Sequence, residues 1–87
     1  MTESQPTARA IVLGNGTAVV VDEADYALVS PFYWHAHRRP DGHGYYARAT
    51  VGSQRVFMHT LLMGKRDGFH VDHKNGNGLD NRRDNLR

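Results

Sequence analysis

Short β-branched segments separated by glycine-containing turns set the main constraint on the fold of this chain. The first two segments are Arg9–Leu13 and Thr17–Val21, with Asn15-Gly16 between them. An Asn-Gly pair between β-branched runs favours a hairpin turn because both residues tolerate a positive φ. The amino-terminal part is therefore predicted to start with an antiparallel hairpin, after a flexible terminus over residues 1–8.

The next segments alternate between helix and strand signals. Asp22–Ser30 begins with acidic residues and predicts a short helix capped by Asp22 and closed before Pro31. Three further strands are predicted at Tyr33–Arg39, Gly44–Val51 and Gln54–Met58, the first two joined by a turn at Pro40-Asp41-Gly42. His59–Gly64 predicts one apolar helical turn that ends at Gly64.

The remaining residues carry weaker signals. Asp67-Gly68 predicts a turn, Phe69–Lys74 a short strand, and Asn75–Asn85 a loop rich in Gly, Asn and Asp. We expect one compact unit made of a sheet domain over residues 9–66 and a distinct segment over residues 67–87. The predicted fold class is a small α+β domain with an antiparallel sheet and one or two short helices.

Strand alternation divides the central sheet into two faces. One face carries Trp34, Ala36, Tyr45, Ala47 and Ala49 and is predicted to form core. The opposite face carries rings and cations, namely Tyr33, His35, His37, Arg39, Tyr46, Arg48 and Thr50. Such a surface suits nucleic acid.

Charge is distributed unevenly along the 87 residues. Residues 1–30 have a formal charge of −3 and residues 31–87 a formal charge of +5. A basic carboxy-terminal part favours a polyanionic partner, although a solvated basic surface explains the same count. The absence of cysteine excludes disulfides and thiolate zinc sites, and no apolar run is long enough for a membrane span. We expect a cytoplasmic protein without a membrane partner.

Asp72 and His73 are the strongest candidates for chemistry. Adjacent residues of a strand point in opposite directions, so the Asp72 carboxylate can hold a cation while the His73 ring addresses water. Neutral imidazole is a suitable base near pH 7, and oxygen-liganded Mg²⁺ or Mn²⁺ stabilises a phosphate leaving group. The pair favours hydrolysis of a phosphodiester.

The string VDHKNGNGLDNRRDNLR, residues 71–87, resembles the HNH or ββα-metal signature of phage and intron homing endonucleases. The upstream strings AVVVDEADYALVSPFYWHAH, GYYARA and VFMHTLLMG resemble the region that precedes this signature, which is similar to the three-stranded DNA-binding sheet of apetala-type transcription factors. The resemblance extends from about Ala10 onward. It implies a sheet that leads into a partial ββα-metal motif, with double-stranded DNA as the substrate.

The resemblance also implies residue roles. His73 would be the general base, Asp72 a ligand of one divalent ion, Mg²⁺ or Mn²⁺, and Asn85 the middle Asn that braces the loop and orients the base. Asn75 to Asn77 would form the turn of that loop. By the same resemblance, Arg82, Arg83 and Arg87 would contact phosphates. Independently of it, we expect DNA contacts from the other cations of this part of the chain: Arg38, Arg39, Arg48, Arg55 and Lys74. Where the family often has His followed by Arg, this chain has His59 and Thr60.

Two other interpretations stay open. In the family, a helix beyond the Asn-Leu-Arg supplies the last metal ligand, and the sequence ends at Arg87. We therefore also expect that the chain is an inactive remnant that binds DNA or inhibits another protein, or a dimer whose incomplete motifs complete each other. A zinc site at His70 and Asp72 lacks a third ligand at suitable spacing, and Lys74 disfavours a calcium loop.

Overall fold

The chain forms two three-stranded sheets and two short helices around one core. This computed structural model describes residues 7–64 and 70–87. The elements in chain order are β1 (Ala8–Val12), β2 (Ala18–Asp22), α1 (Tyr26–Val29), β3 (His35–Arg38), β4 (Tyr45–Val51), β5 (Gln54–Phe57), α2 (Met58–Met63) and β6 (Asp80–Asn81). The small α+β class predicted from the sequence is confirmed.

The first sheet has the order β1-β2-β6. β1 and β2 form the predicted antiparallel hairpin, closed by Leu13 N–H donating to the Thr17 carbonyl at 2.7 Å. β6 runs parallel to β2, with Val20 opposite Asp80 and Val21 opposite Asn81. The carboxy-terminal segment therefore shares a sheet with the amino-terminal hairpin.

The second sheet is an antiparallel meander of β3, β4 and β5. Its register places Ala36 opposite Ala47, and His37 opposite Tyr46, which confirms the predicted division into two faces. Trp34, Ala47 and Ala49 are buried on the core side, as predicted. The Trp34 indole N–H donates to the Val29 carbonyl at 2.8 Å, so the largest buried side chain also ties α1 to the meander.

Several predictions about local structure need correction or fall outside the described residues. Asp22 does not cap the helix after β2; its carboxylate accepts a hydrogen bond from Arg83 N–H at 2.9 Å instead. Residues 70–74 of the predicted strand Phe69–Lys74 contain one bridge, at His73, and the predicted loop Asn75–Asn85 contains β6 and a 3-10 turn at Arg83–Asn85. The predicted turn at Asp67-Gly68, Phe69 and most of the amino terminus lie outside the described residues.

Both helices are short. α2 ends at Gly64, whose φ of 80° is the left-handed stop predicted from the sequence. In residues 7–64 and 70–87, none of the helices is long and apolar enough to cross a membrane.

Gly78 docks the carboxy-terminal segment onto β4. A Cβ atom at this position would lie 2.5 Å from the Tyr45 carbonyl oxygen and 2.6 Å from Cδ1 of Tyr46. Both distances are shorter than van der Waals contact, and one partner is backbone. The carboxy-terminal segment can approach the meander this closely because glycine has no side chain.

We predict that Gly78→Ala lowers the free energy of unfolding by about 1–3 kcal/mol, the range for overpacking a close contact. Urea denaturation followed by circular dichroism measures the change. Gly14→Ala is the matched control, because a Cβ there would meet its nearest atoms at 3.7 and 3.8 Å, which is ordinary contact. Equal midpoints for the two variants would contradict the docking role of Gly78.

Candidate active site

Asp72 and His73 lie on a short antiparallel ladder. Asp72 and Arg87 exchange two backbone hydrogen bonds: Asp72 N–H donates to the Arg87 carbonyl at 2.7 Å, and Arg87 N–H donates to the Asp72 carbonyl at 3.0 Å. Lys74 N–H donates to the Asn85 carbonyl at 2.7 Å. This pairing sends adjacent side chains to opposite sides. Asp72 is exposed whereas His73 is buried, so the expectation that they point apart is confirmed.

The side chain of Asn85 makes hydrogen bonds across the loop that joins the two halves of the ladder. Its Oδ1 accepts the Asn75 backbone N–H at 3.0 Å, and its Nδ2 donates to Asn75 Oδ1 at 3.0 Å and to the Asp80 carbonyl at 2.8 Å. The backbone N–H of Asn77 also donates to Asn75 Oδ1, at 2.9 Å. These contacts are those of a loop-bracing residue, and Asn85 reaches His73 only through the neighbouring backbone of Lys74.

The imidazole of His73 is enclosed by other rings and one amide. It stacks on Tyr46 with centroids 5.6 Å apart and an interplanar angle of 25°, and it meets the His59 ring edge-on at 4.8 Å. Its Nε2 lies 2.7 Å from Oδ1 of Asn81. Only 5% of the residue is exposed. Sequence reasoning missed Asn81, because an Asn in an Asn-rich stretch is most simply a turn residue.

His59 is the buried neighbour of His73 rather than a surface residue. It lies nearly parallel to Phe57, with centroids 5.3 Å apart, and contacts Tyr46 at 4.9 Å. Burial, followed by repulsion from His73 and Arg39, lowers the pKa of His59 to about 4. His59 is thus neutral at pH 7, and it is too enclosed to contact a phosphate in this conformation.

Three of the expected DNA-contacting arginines are engaged in ion pairs within the protein. Arg82 donates two hydrogen bonds to Asp80, at 2.8 and 2.7 Å, and Arg83 donates two to Asp25, at 2.9 and 3.0 Å. The Arg82 hydrogen bond is the main cause of a lowered pKa for Asp80. Arg39 bridges the Gly76 carbonyl and the Asp41 carboxylate, each at 2.7 Å. A phosphate would have to compete with these partners.

The other expected cations are more available. Within residues 7–64 and 70–87, no carboxylate lies at ion-pair distance from Arg38, Arg48, Arg55 or Lys74. Arg48 and Arg55, with His35, His37 and Thr50, line a pocket of about 210 Å³ on the ring-bearing face of the meander. We call this set the basic face. Arg87 is exposed and pairs only loosely with Asp72, at 3.5 Å.

The basic face lies next to the ring cluster, which consists of Tyr46, Phe57, His59 and His73. Arg48 lies over Phe57 at 6.0 Å from the ring centroid, and His37 lies 5.6 Å from the same ring. Phe57 contacts His59, which contacts His73. The loop that carries His73 therefore covers part of the face that the sequence assigned to nucleic acid, at Tyr46, and leaves the part around Arg48 and Arg55 open.

The described residues contain no preformed metal centre. In the part of the chain that the structure describes, no group of three His, Cys, Asp or Glu side chains could hold a metal, and this includes the zinc arrangement considered at His70 and Asp72. Asp72 has a side chain that is 66% exposed, so its carboxylate is open to a cation. Mg²⁺ sites often combine one or two carboxylates with substrate phosphates and water. Asp72 suits that kind of site.

Comparison with protein-family models, with curated proteins and with solved structures finds no match to this chain.

We predict that His59 makes the protein less stable as the pH falls. The folded-state pKa of His59, about 4, lies below its ordinary value of 6.5, so the unfolded chain binds a proton more readily. Stability is fully present above about pH 6.5 and is lost as the pH falls toward 4, by about 2 kcal/mol between pH 7 and pH 4.5. Urea denaturation at these two pH values measures the loss.

His59→Phe should remove most of this pH dependence, because Phe has a similar shape and does not ionise. His43→Phe, at an exposed position in the β3–β4 turn, is the matched control and should leave the pH dependence as it is in the parent chain. If His59→Phe and the parent chain lose the same stability between the two pH values, another group is responsible.

Proposed function

We propose that this chain is a DNA endonuclease of the HNH type, which hydrolyses a phosphodiester with His73 as general base and Asp72 as ligand of one Mg²⁺ or Mn²⁺ ion. The observation that carries the proposal is the ladder that turns Asp72 outward and His73 inward, beside a loop braced by Asn85. The resemblance of residues 71–87 to the HNH signature supports the same assignment.

Each protein group has a definite task in this proposal. His73 takes a proton from the attacking water, and the rings of Tyr46 and His59 restrict its rotation. Neutral His59 places no positive charge beside the base at pH 7. Asp72 would hold the ion, which would offset negative charge at the phosphate and the leaving oxygen. Arg48 and Arg55 would contact the phosphate backbone from the basic face.

We predict nicking of supercoiled plasmid DNA by the purified protein with Mg²⁺ or Mn²⁺, abolished by chelation. Asp72→Asn should remove the activity without unfolding the protein, because the side chain is 66% exposed. His73→Ala should lower the rate by about 10²–10⁴-fold, the usual contribution of a general base. Gel electrophoresis of the plasmid forms measures the rate.

His43→Ala is the matched control, since it removes an exposed histidine from the β3–β4 turn, and it should nick at the parental rate. Circular dichroism of His73→Ala separates loss of the base from loss of the fold, because His73 is buried. Nicking at the parental rate by folded His73→Ala would rule out this mechanism.

A second candidate function is binding of double-stranded DNA without cleavage. Two observations favour it: His73 is only 5% exposed, and the described residues contain no three-ligand metal group. The basic face supplies phosphate contacts in either case. The other non-catalytic function is that of an inhibitor that binds another protein instead of DNA. A measurement of DNA affinity distinguishes the DNA-binding module from the inhibitor.

We predict that DNA affinity falls steeply between about 50 and 200 mM salt, because each phosphate contact releases counterions. Arg48→Gln and Arg55→Gln should each weaken binding and reduce the slope of log affinity against log salt by about 1. Arg9→Gln is the control, since Arg9 lies on β1 and pairs with Glu23. Fluorescence anisotropy with a labelled duplex measures both quantities. A flat salt response would exclude DNA contact and leave the inhibitor form.

A further inference from the structure

We propose that Asn81 is the positioning residue of the site: it fixes His73 as the tautomer with the proton on Nε2 and leaves the lone pair on Nδ1. The assignment rests on the proposed function for its catalytic meaning, but the tautomer itself is a property of the folded protein. The contact that carries it is the 2.7 Å separation between Nε2 of His73 and Oδ1 of Asn81.

The position of Asn81 is set by the β1-β2-β6 sheet. Asn81 belongs to β6 and pairs with Val21 in the β1-β2-β6 sheet. Both residues are fully buried, so the sheet holds the Asn81 backbone at a fixed place in the core. The amide therefore presents a fixed acceptor to a ring that Tyr46 and His59 confine on other sides.

The direction of this hydrogen bond follows from the chemistry of the two groups. An amide oxygen only accepts, so Nε2 of His73 must carry the proton and Nδ1 is left as the basic nitrogen. When His73 takes up a second proton, Nε2 still donates to Asn81, and the hydrogen bond survives. The reverse orientation, with Nδ2 of Asn81 facing Nε2, would be lost at that step because two donors would then face each other. Only the observed orientation suits a residue that works as a base.

Asn81 also carries an unfavourable feature that packing does not explain. Its Nδ2 is buried and has no hydrogen-bond partner. A buried donor without a partner is rare, and a leucine of similar volume would leave none. Among residues 7–64 and 70–87, the hydrogen bond of the Asn81 side chain is the contact with His73, and it uses the amide oxygen.

Nitrogen-15 NMR of the histidine rings tests the inference directly, since long-range proton–nitrogen correlations distinguish the two neutral tautomers. In the ¹⁵N-labelled parent chain at about pH 8, we expect His73 with its proton on Nε2. A proton on Nδ1 would overturn the inference. This measurement needs neither DNA nor metal, so it does not depend on whether the chain cleaves DNA.

Two variants separate positioning from packing. Asn81→Asp keeps an acceptor oxygen and should keep the Nε2–H tautomer, whereas Asn81→Leu keeps the volume and should give a substantial population with the proton on Nδ1. An unchanged His73 spectrum in folded Asn81→Leu would overturn the inference. If Asn81→Leu does not fold, the tautomer in the parent chain decides.

The nicking assay then connects the tautomer to the proposed reaction. Asn81→Leu should lose about 10- to 100-fold in rate, the range for removing a group that orients a functional histidine, and Asn81→Asp should lose less. If the parent chain has the Nε2–H tautomer but does not nick DNA, the proposed function fails and the positioning role stands. If the parent chain nicks DNA with the opposite tautomer, the function stands and the positioning role fails.

Discussion

The site depends above all on a parallel pairing of two residues between β2 and β6. Val20 N–H donates to the Leu79 carbonyl at 2.8 Å, which anchors the carboxy-terminal segment to the amino-terminal hairpin across about sixty residues of sequence. The pairing places Asn81 in the core and lets Gly78 approach β4. The segment is also fixed against the meander directly, by the close approach of Gly78 to β4 and by the hydrogen bond from Arg39 to the Gly76 carbonyl.

Much of the framework could be predicted from the sequence because its signals are local. The β1-β2 hairpin follows from β-branched runs beside Asn15-Gly16, and the β3-β4 hairpin from the turn residues Pro40-Asp41-Gly42. Alternation alone assigns Trp34 to the core. β6 could not be predicted this way, since Asp80-Asn81 has no strand propensity and is stabilised by a distant partner. Asn81 was missed for the same reason: its role depends on burial, which a short polar stretch does not indicate.

The basic residues show a second limit of sequence reasoning. A count of cations treats Arg83 and Arg48 alike, yet Arg83 is held by Asp25, which lies 58 positions away, whereas Arg48 lines the open pocket of the basic face. Exposed ion pairs contribute little stability individually, but each reduces the availability of its guanidinium for phosphate. The formal charge of the carboxy-terminal part therefore overstates the number of cations ready to bind DNA.

In the proposed function, the arrangement around His73 separates two requirements. A general base would need a fixed orientation, which packing against Tyr46 and His59 provides, while a metal ligand would need contact with solvent and substrate, which the exposed Asp72 has. Strand alternation meets both needs with adjacent residues, because one side of the ladder faces the core and the other faces solvent. His59 is neutral at pH 7 and therefore places no positive charge beside His73. In our proposal, the one hydrogen bond that Nε2 of His73 donates to the buried Oδ1 of Asn81 determines which nitrogen of His73 keeps its lone pair.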